Sequence, residues 1–244
     1  MLDALRGGLV LASESGVTDA SYANERADAI DAVCLGGLAV DGPTREAARA
    51  MVDRDRDEFL PPDPVAYVED ELAVLDDAVT AAVNVRAAEA EALRRVAEVC
   101  ADAGAAVEIN AHCRQHEMID RGCGHALLRD RDRLAELVAA AAATGATVGV
   151  KTRAEVTDDA AVARRLAGAG ADFVHVDCMD TPSAVDDVAA SAPELVLVAN
   201  NGVRSAADAR AYLDRGADAV STARGGRDPA RLDAIREGLP AAPC

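Results

Sequence analysis

Thr147-Val148-Gly149-Val150 is an apolar run bounded upstream by Thr144-Gly145 and downstream by Lys151, the only lysine in 244 residues. Such a run, bracketed by a glycine turn, reads as a strand buried on both faces. Lys151 would then stand where the strand runs into its loop, with Arg153 sharing that loop. Nearly every other cation is arginine, so the one lysine marks a need for a compact charge with three rotating donors or a shiftable pKa.

Outward from this strand the same unit recurs. Strands are expected over Gly8–Leu11, Ala32–Leu35, Thr80–Val85, Ala106–Ile109, Thr147–Val150, Phe173–Val176, Leu195–Val198 and Ala219–Ser221. Helical stretches follow near 18–29, 44–53 with 65–77, 89–103, 131–143, 158–168, 181–190, 205–215 and 228–237. Thr181 and Ser205 are expected N-caps, and Gly104, Gly145, Gly170 and Gly216 expected helix stops. Eight βα units predict one closed (β/α)8 TIM barrel spanning residues 1–244 as a single domain. An open doubly wound sheet is the second choice. Asp57–Pro64, with three prolines, reads as a rim excursion or lid.

Composition narrows the function. Half of the residues are hydrophobic, yet aromatics make up 2% and tryptophan is absent, so base-stacking platforms of an autonomous nucleic-acid-binding module are excluded. The formal charge of −18, from 43 acidic and 25 basic residues, is spread along the chain. This pattern resembles that of halophilic proteins from salt-accumulating cells, or otherwise of an acidic cytosolic enzyme. The six cysteines lack regular spacing, and the sequence has neither a leader pattern nor a membrane span. A reducing, cytoplasmic location is expected.

In a barrel of this kind the loops after the strands converge on one rim. They bring Ser13, Ser15 and Gly16, then Asn84, then Asn110, His112 and Cys113, then Lys151 and Arg153. His175 and Asp177, Asn200, Asn201 and Gly202, and Arg224, Gly225 and Gly226 complete the set. A cationic, amide-rich site in an acidic protein suits a phosphorylated ligand. Asn201-Gly202 and Arg224-Gly225-Gly226 occupy the strand-seven and strand-eight positions where barrels hold phosphate.

Cys113, between His112 and Arg114, is a rim thiol beside cations, able to act as nucleophile or proton donor. His112, Cys113, His116, Cys123 and His125 follow neither paired CxxC nor HExxH spacing, so no metal is expected.

Taken together, Leu11-Ala12-Ser13-Glu14-Ser15-Gly16-Val17-Thr18-Asp19, Ile109-Asn110-Ala111-His112-Cys113, Gly122-Cys123-Gly124-His125-Ala126-Leu127-Leu128, Val150-Lys151-Thr152-Arg153, His175, Asn201-Gly202 and Ala223-Arg224-Gly225 resemble the dihydrouridine synthases. These are FMN-dependent TIM-barrel enzymes that reduce uridine in tRNA. The sequence is most similar to the archaeal, barrel-only branch. The resemblance implies FMN as cofactor, NADPH or NADH as donor, and flavin contacts from Asn84, Lys151 and His175, with Ser13 at the same rim. It implies that Asn201, Gly202, Arg224 and Gly225 hold the phosphate, that Asn110 and Arg153 position the base, and that Cys113 protonates C5 while hydride reaches C6. Cys113, Lys151 and Arg153 are thus the expected catalytic set.

Four positions depart from the family pattern: His112, Arg114, Asp177 and Val203. The C-terminal helical domain with which typical members grip tRNA is also not expected here. Reduction of uridine in tRNA is therefore accompanied by two alternatives. One is a reductase of a free pyrimidine, similar to dihydroorotate dehydrogenases, and the other a non-catalytic FMN- or phosphate-binding barrel. An aldolase using Lys151 as a Schiff base is disfavoured, because Arg153 and Asn110 suit a planar anion better. No membrane partner is expected, and oligomeric state is not legible in the sequence.

Overall fold

Alternate residues along a strand face opposite ways, and in this chain the two sets differ in chemistry. The computed structural model describes residues 2–179 and 181–240. Its strands are β1 (Leu9–Leu11), β2 (Ala32–Ala39), β3 (Thr80–Arg86), β4 (Ala106–Asn110), β5 (Thr147–Arg153), β6 (Phe173–Asp177), β7 (Val196–Asn200) and β8 (Ala219–Thr222). They pair in parallel in chain order, and β8 returns to β1 to close a TIM barrel. The fold expected from the βα repeat is the one observed.

The outward set is aliphatic. Val33, Leu35, Val83, Val85, Val107, Ile109, Val148, Val150, Val174 and Val176 pack against Leu93, Val96, Leu134, Leu137, Val138 and Leu166 of the surrounding helices. The inward set is layered. At the N-terminal end of the strands Val10, Ala32, Ala82, Ala106, Val196 and Ala219 surround the Phe173 ring. Gly149, the register partner of Phe173, makes room for it, since a methyl group at 149 would overlap the ring. Burying that one phenyl stabilises the closed end by about 1.5–3 kcal/mol. Above it the interior turns polar.

Aspartates stitch the lower rim. Asp31, Asp172 and Asp218 each stand one residue before a strand, and each carboxylate accepts a backbone N–H of the neighbouring strand: Leu9 at 2.7 Å, Val148 at 2.8 Å and Leu197 at 2.9 Å. Asp41 serves the upper rim. It caps the helix Gly42–Val52 through Thr44 N–H at 2.9 Å and also accepts from Ala88 and Glu89 N–H, tying the loops after β2 and β3 together.

Several local expectations change. Gly104, Gly145, Gly170 and Gly216 do adopt positive φ of 69°, 85°, 98° and 100°, the left-handed stop that glycine permits. Ser205 caps its helix through Asp208 N–H. Thr181 does not cap: the helix starts at Ala184, with Ser183 preceding it and no side-chain cap bond. The first helical stretch divides into Ala20–Asn24 and a 3-10 turn at Ala27–Ala29. Strand β5 does not end at Val150 but runs to Arg153, which places Lys151 and Arg153 inside the barrel wall instead of in a loop. Among the described residues no helix is long and apolar enough to cross a membrane.

Candidate active site

Register sets the polar floor. Asn84 pairs with Glu108, Asn110 with Lys151, Lys151 with His175, and Val10 with Ser221, so the inward side chains of these positions meet at mid-height in the barrel. Glu108 is the hub. One carboxylate oxygen faces His175 Nδ1 at 2.7 Å and the Cys34 thiol at 3.5 Å, and the other accepts from the Asn84 amide. His175 Nε2 meets Ser221 Oγ at 2.7 Å. Both imidazole nitrogens are thus engaged by the protein.

The field in this layer is set by Lys151. The residue is 1% exposed, and its ammonium makes no hydrogen bond or ion pair among the described residues. Burial would raise the Glu108 carboxyl, but His175, Lys151 and the Asn84 amide hold it at about 2. Glu108 is therefore an anion that balances the buried ammonium. Burial and the Lys151 charge depress His175, and burial with the surrounding cations Lys151, His175, Arg86 and Arg153 pushes His112 well down.

Asn110 links the floor to Cys113. Its Nδ2 donates to Asn84 Oδ1 at 2.9 Å, while its Oδ1 accepts from Cys113 N–H at 3.1 Å and lies 3.2 Å from His112 Nδ1. The segment behind supports the same loop: His125 N–H donates to the Cys113 carbonyl at 2.8 Å, and a Cβ at Gly124, where φ is 63°, would strike it. Cys113 was expected in a polar loop between cations. It is instead buried with Ala39, Ala47, Met51, Met118 and Cys123, and Arg114 is exposed. The cation it faces is Arg86, from the end of β3.

Arg86 is itself buried and pairs with Glu58 of the 57–64 excursion. Glu58 also accepts from Ser15 Oγ at 2.6 Å, and Ser15 reaches the Gly37 carbonyl at 3.1 Å. The excursion is thus clamped onto the rim.

On the opposite side, the loops after β7 and β8 enclose a cavity of about 490 Å³. Asn201, Gly202, Arg204, Arg224, Gly225 and Arg231 line it. Asn201 and Gly202 both take positive φ, 78° and 77°, and Tyr212 Oη holds the turn by donating to the Asn201 carbonyl at 2.9 Å. Arg224 and Gly225 open a 3-10 turn, and among the described residues their backbone N–H groups meet no acceptor. Free N–H groups at a glycine turn with three arginines have the chemistry to hold an anion. Asp177 joins it to the floor. It lines the cavity, pairs with Arg153 at 3.1 Å and accepts from Asn201 Nδ2 at 3.1 Å.

Residues 63–241 match the family model described as dihydrouridine synthase (Dus). The chain belongs to the dihydrouridine synthase family. Flavin-type oxidoreductase chemistry on a TIM barrel is the class this membership supports. An uncharacterized protein of Methanocaldococcus jannaschii is 28% identical over 239 residues, covering 91% of this chain and 90% of that protein. Among solved structures, DHODH from Eimeria tenella, crystallised with ferulenol, superposes with a TM-score of 0.69 at 14% identity, over 94% of this chain and 79% of that one. A 3-hexulose-6-phosphate synthase gives 0.56 at 17% identity, over 96% and 100%. At these identities the two structures speak for the fold alone.

In this dihydrouridine synthase family member the expected site residues fall into two connected groups. Asn84, Asn110, Lys151, Arg153 and His175 form the floor, and Asn201, Gly202, Arg224 and Gly225 the anion cavity. Ser13 is half-buried above β1, next to β8. His112, Cys113, His116, Cys123 and His125 do not converge as ligands: His116 is exposed beside Glu117, and Cys123 joins the apolar cluster. The one described group with ligand atoms mutually within 4.8 Å is Cys34, Glu108 and His175, already joined by hydrogen bonds. Sequence reading passed over Glu108, Ser221, Arg86, Glu58, Arg204 and Arg231. A charge within Ala106-Val107-Glu108-Ile109 was the available signal for the first. Nothing in the sequence pairs Glu58 with Arg86.

Proposed function

We propose that this protein is an FMN-dependent reductase of the uracil C5=C6 bond, acting on uridine in tRNA with NADPH or NADH as donor. What supports the reading is the continuity, through Asp177, between an arginine-lined anion cavity and the Lys151 floor in a chain of this family. The cavity fits a ribityl phosphate: three arginines and free backbone N–H groups face it, and the one carboxylate on its wall is already paired. FMN bound there supplies the hydride.

The chain's own residues would do the rest. Arg204, Arg224 and Arg231, with the free Arg224 and Gly225 N–H groups, hold the phosphate, and Gly202, whose N–H is taken by Asn201 Oδ1 at 2.9 Å, shapes the turn. Lys151, the one buried ammonium, stabilises negative charge on the flavin ring, while Glu108 and His175 fix the height of that charge in the barrel. Arg153 orients the base. Asn110 pins the loop that carries Cys113, whose thiol gives its proton to C5.

The formal charge of −18 favours a second reading, reduction of a free pyrimidine, because an anionic surface opposes tRNA until salt screens it. Two experiments decide. Reconstitution with FMN in molar salt should give a yellow protein with one flavin per chain, and a colourless product would overturn both readings. Dihydrouridine should fall in tRNA from a strain lacking the gene. An unchanged level, with no redundant enzyme present, would remove tRNA and leave the free pyrimidine.

A further inference from the structure

Arg86 carries more than its ion pair requires. Its guanidinium is buried, its register partner is Ala39, and Ala39 belongs to the cluster that encloses Cys113. One face of the guanidinium is spent on Glu58. The Nε–H has no partner, although it is shielded from bulk water. It lies against Gly37, where an added Cβ would sit 3.3 Å from Nε and 3.0 Å from Asn84 Oδ1. The space left by the missing side chain of Gly37 is therefore bounded by an unused cationic donor and by the polar floor. Leaving a buried donor unsatisfied costs about 1–3 kcal/mol, a cost that a bound acceptor would remove.

Resting on the uracil-reductase reading, we propose that Arg86 is a substrate-contacting residue: its free Nε–H donates to the C4 carbonyl oxygen of the ring, beside the carbon that Cys113 protonates. The chemistry asks for a donor there. When hydride forms the new C6–H bond, the C5=C6 π pair moves into C5=C4 and leaves negative charge on O4 as an enolate. The S–H bond of Cys113 then breaks, its proton forms the C5–H bond, and the enolate pair returns to the C4 carbonyl. Solvent reprotonates the thiolate. Electrons balance: two enter with the hydride and none is left over. Arg86 adjoins both the developing oxyanion and the developing thiolate, so one fixed cation stabilises two successive anions. Glu58, carried on the 57–64 excursion and held by Ser15, positions it.

The test uses FMN-loaded, nicotinamide-reduced protein in molar salt, mixed without oxygen with an unmodified tRNA transcript or the same transcript containing 4-thiouridine. Flavin reoxidation is followed. Arg86→Met should slow reoxidation by uridine on the order of 10²–10³-fold, as for a lost oxyanion donor, and leave flavin reduction by the nicotinamide unchanged. Sulfur at position 4 should slow the wild type but add little to Arg86→Met. Because Arg86→Met strands a buried carboxylate, Arg86→Met with Glu58→Gln is measured alongside. Wild-type rates in both variants, equal loss of both half-reactions, or additive effects of mutation and thio-substitution would overturn the assignment. If the wild-type flavin is not reoxidised by the transcript at all, the tRNA reading fails and this role, as stated, fails with it.

Discussion

Glu108 and His175 meet at 2.7 Å in mid-barrel, at a depth where neither side chain reaches solvent. A barrel of this size commonly fills that layer with branched aliphatic side chains. Here the layer holds a carboxylate, an ammonium, an imidazole and an amide, and its stability depends on charge balance.

Glu108→Gln should destabilise the fold by about 3–5 kcal/mol, the usual loss when one member of a buried charge group is removed. Thermal unfolding measures it, and Lys151→Met combined with Glu108→Gln should lose less than the two single changes added together. Additive losses would show that the two charges do not compensate each other.

The same carboxyl sets an acid limb. Its folded pKa of about 2 lies below the unfolded value of about 4.3. The stabilisation it confers is therefore complete above about pH 4.3 and is lost as pH falls through about 2. Melting temperature measured across this interval in molar salt should drop more steeply for the wild type than for Glu108→Gln. Parallel curves would contradict the depressed pKa.

Arg224→Ala should weaken FMN binding by about 1.5–3 kcal/mol, roughly 10- to 150-fold, through loss of a charge-assisted contact. Gly225→Ala should act by another route, because its Cβ would strike Thr222 Oγ1 and shift the turn. Flavin fluorescence titration reports both. Unaltered affinity in Arg224→Ala would place the phosphate elsewhere.

Cys113→Ala should leave flavin reduction intact and slow the reaction with substrate on the order of 10²–10⁴-fold. Burial holds Cys100 and Cys178 as thiols with pKa values pushed up to about 12, and their alanine variants should keep both half-reactions. A matching loss in the Cys100 variant would point to packing.

Asp172→Ala removes one stitch at the lower rim, where its carboxylate accepts Val148 N–H at 2.8 Å. A loss of about 1–3 kcal/mol in chemical denaturation is expected, with catalytic rates unchanged, because the bond lies at the end of the barrel remote from the site.

Most of the eight strands were legible because they begin as short apolar runs soon after a glycine or aspartate stop, while β7 follows Pro193-Glu194. Their upper ends were not. Asn110, Lys151, Arg153, Asp177, Asn200 and Thr222 all lie in strands beyond the point where apolar residues stop. Inward positions near the rim face a ligand instead of a core, so their polar identity imitates a loop. The same substitution of chemistry for packing made the rim set readable as a site and blurred where its residues sit. Arg86 and Glu58 come from a strand end and a proline-rich excursion, and their pairing exists only once the chain has folded.

Among the described residues, Phe173 closes one end of the barrel and leaves the other as the way in. Its ring stops the barrel from below, with Gly149 and the surrounding alanines closing the remaining space. Any traffic to the buried lysine passes through the opposite mouth, which the 57–64 excursion borders on one side and the β7 and β8 loops on the other. On the proposed reaction the nicotinamide and the nucleobase would share that opening. Turnover with two such visitors has to alternate, one leaving before the other arrives, and initial-rate plots against the two substrates should be parallel lines.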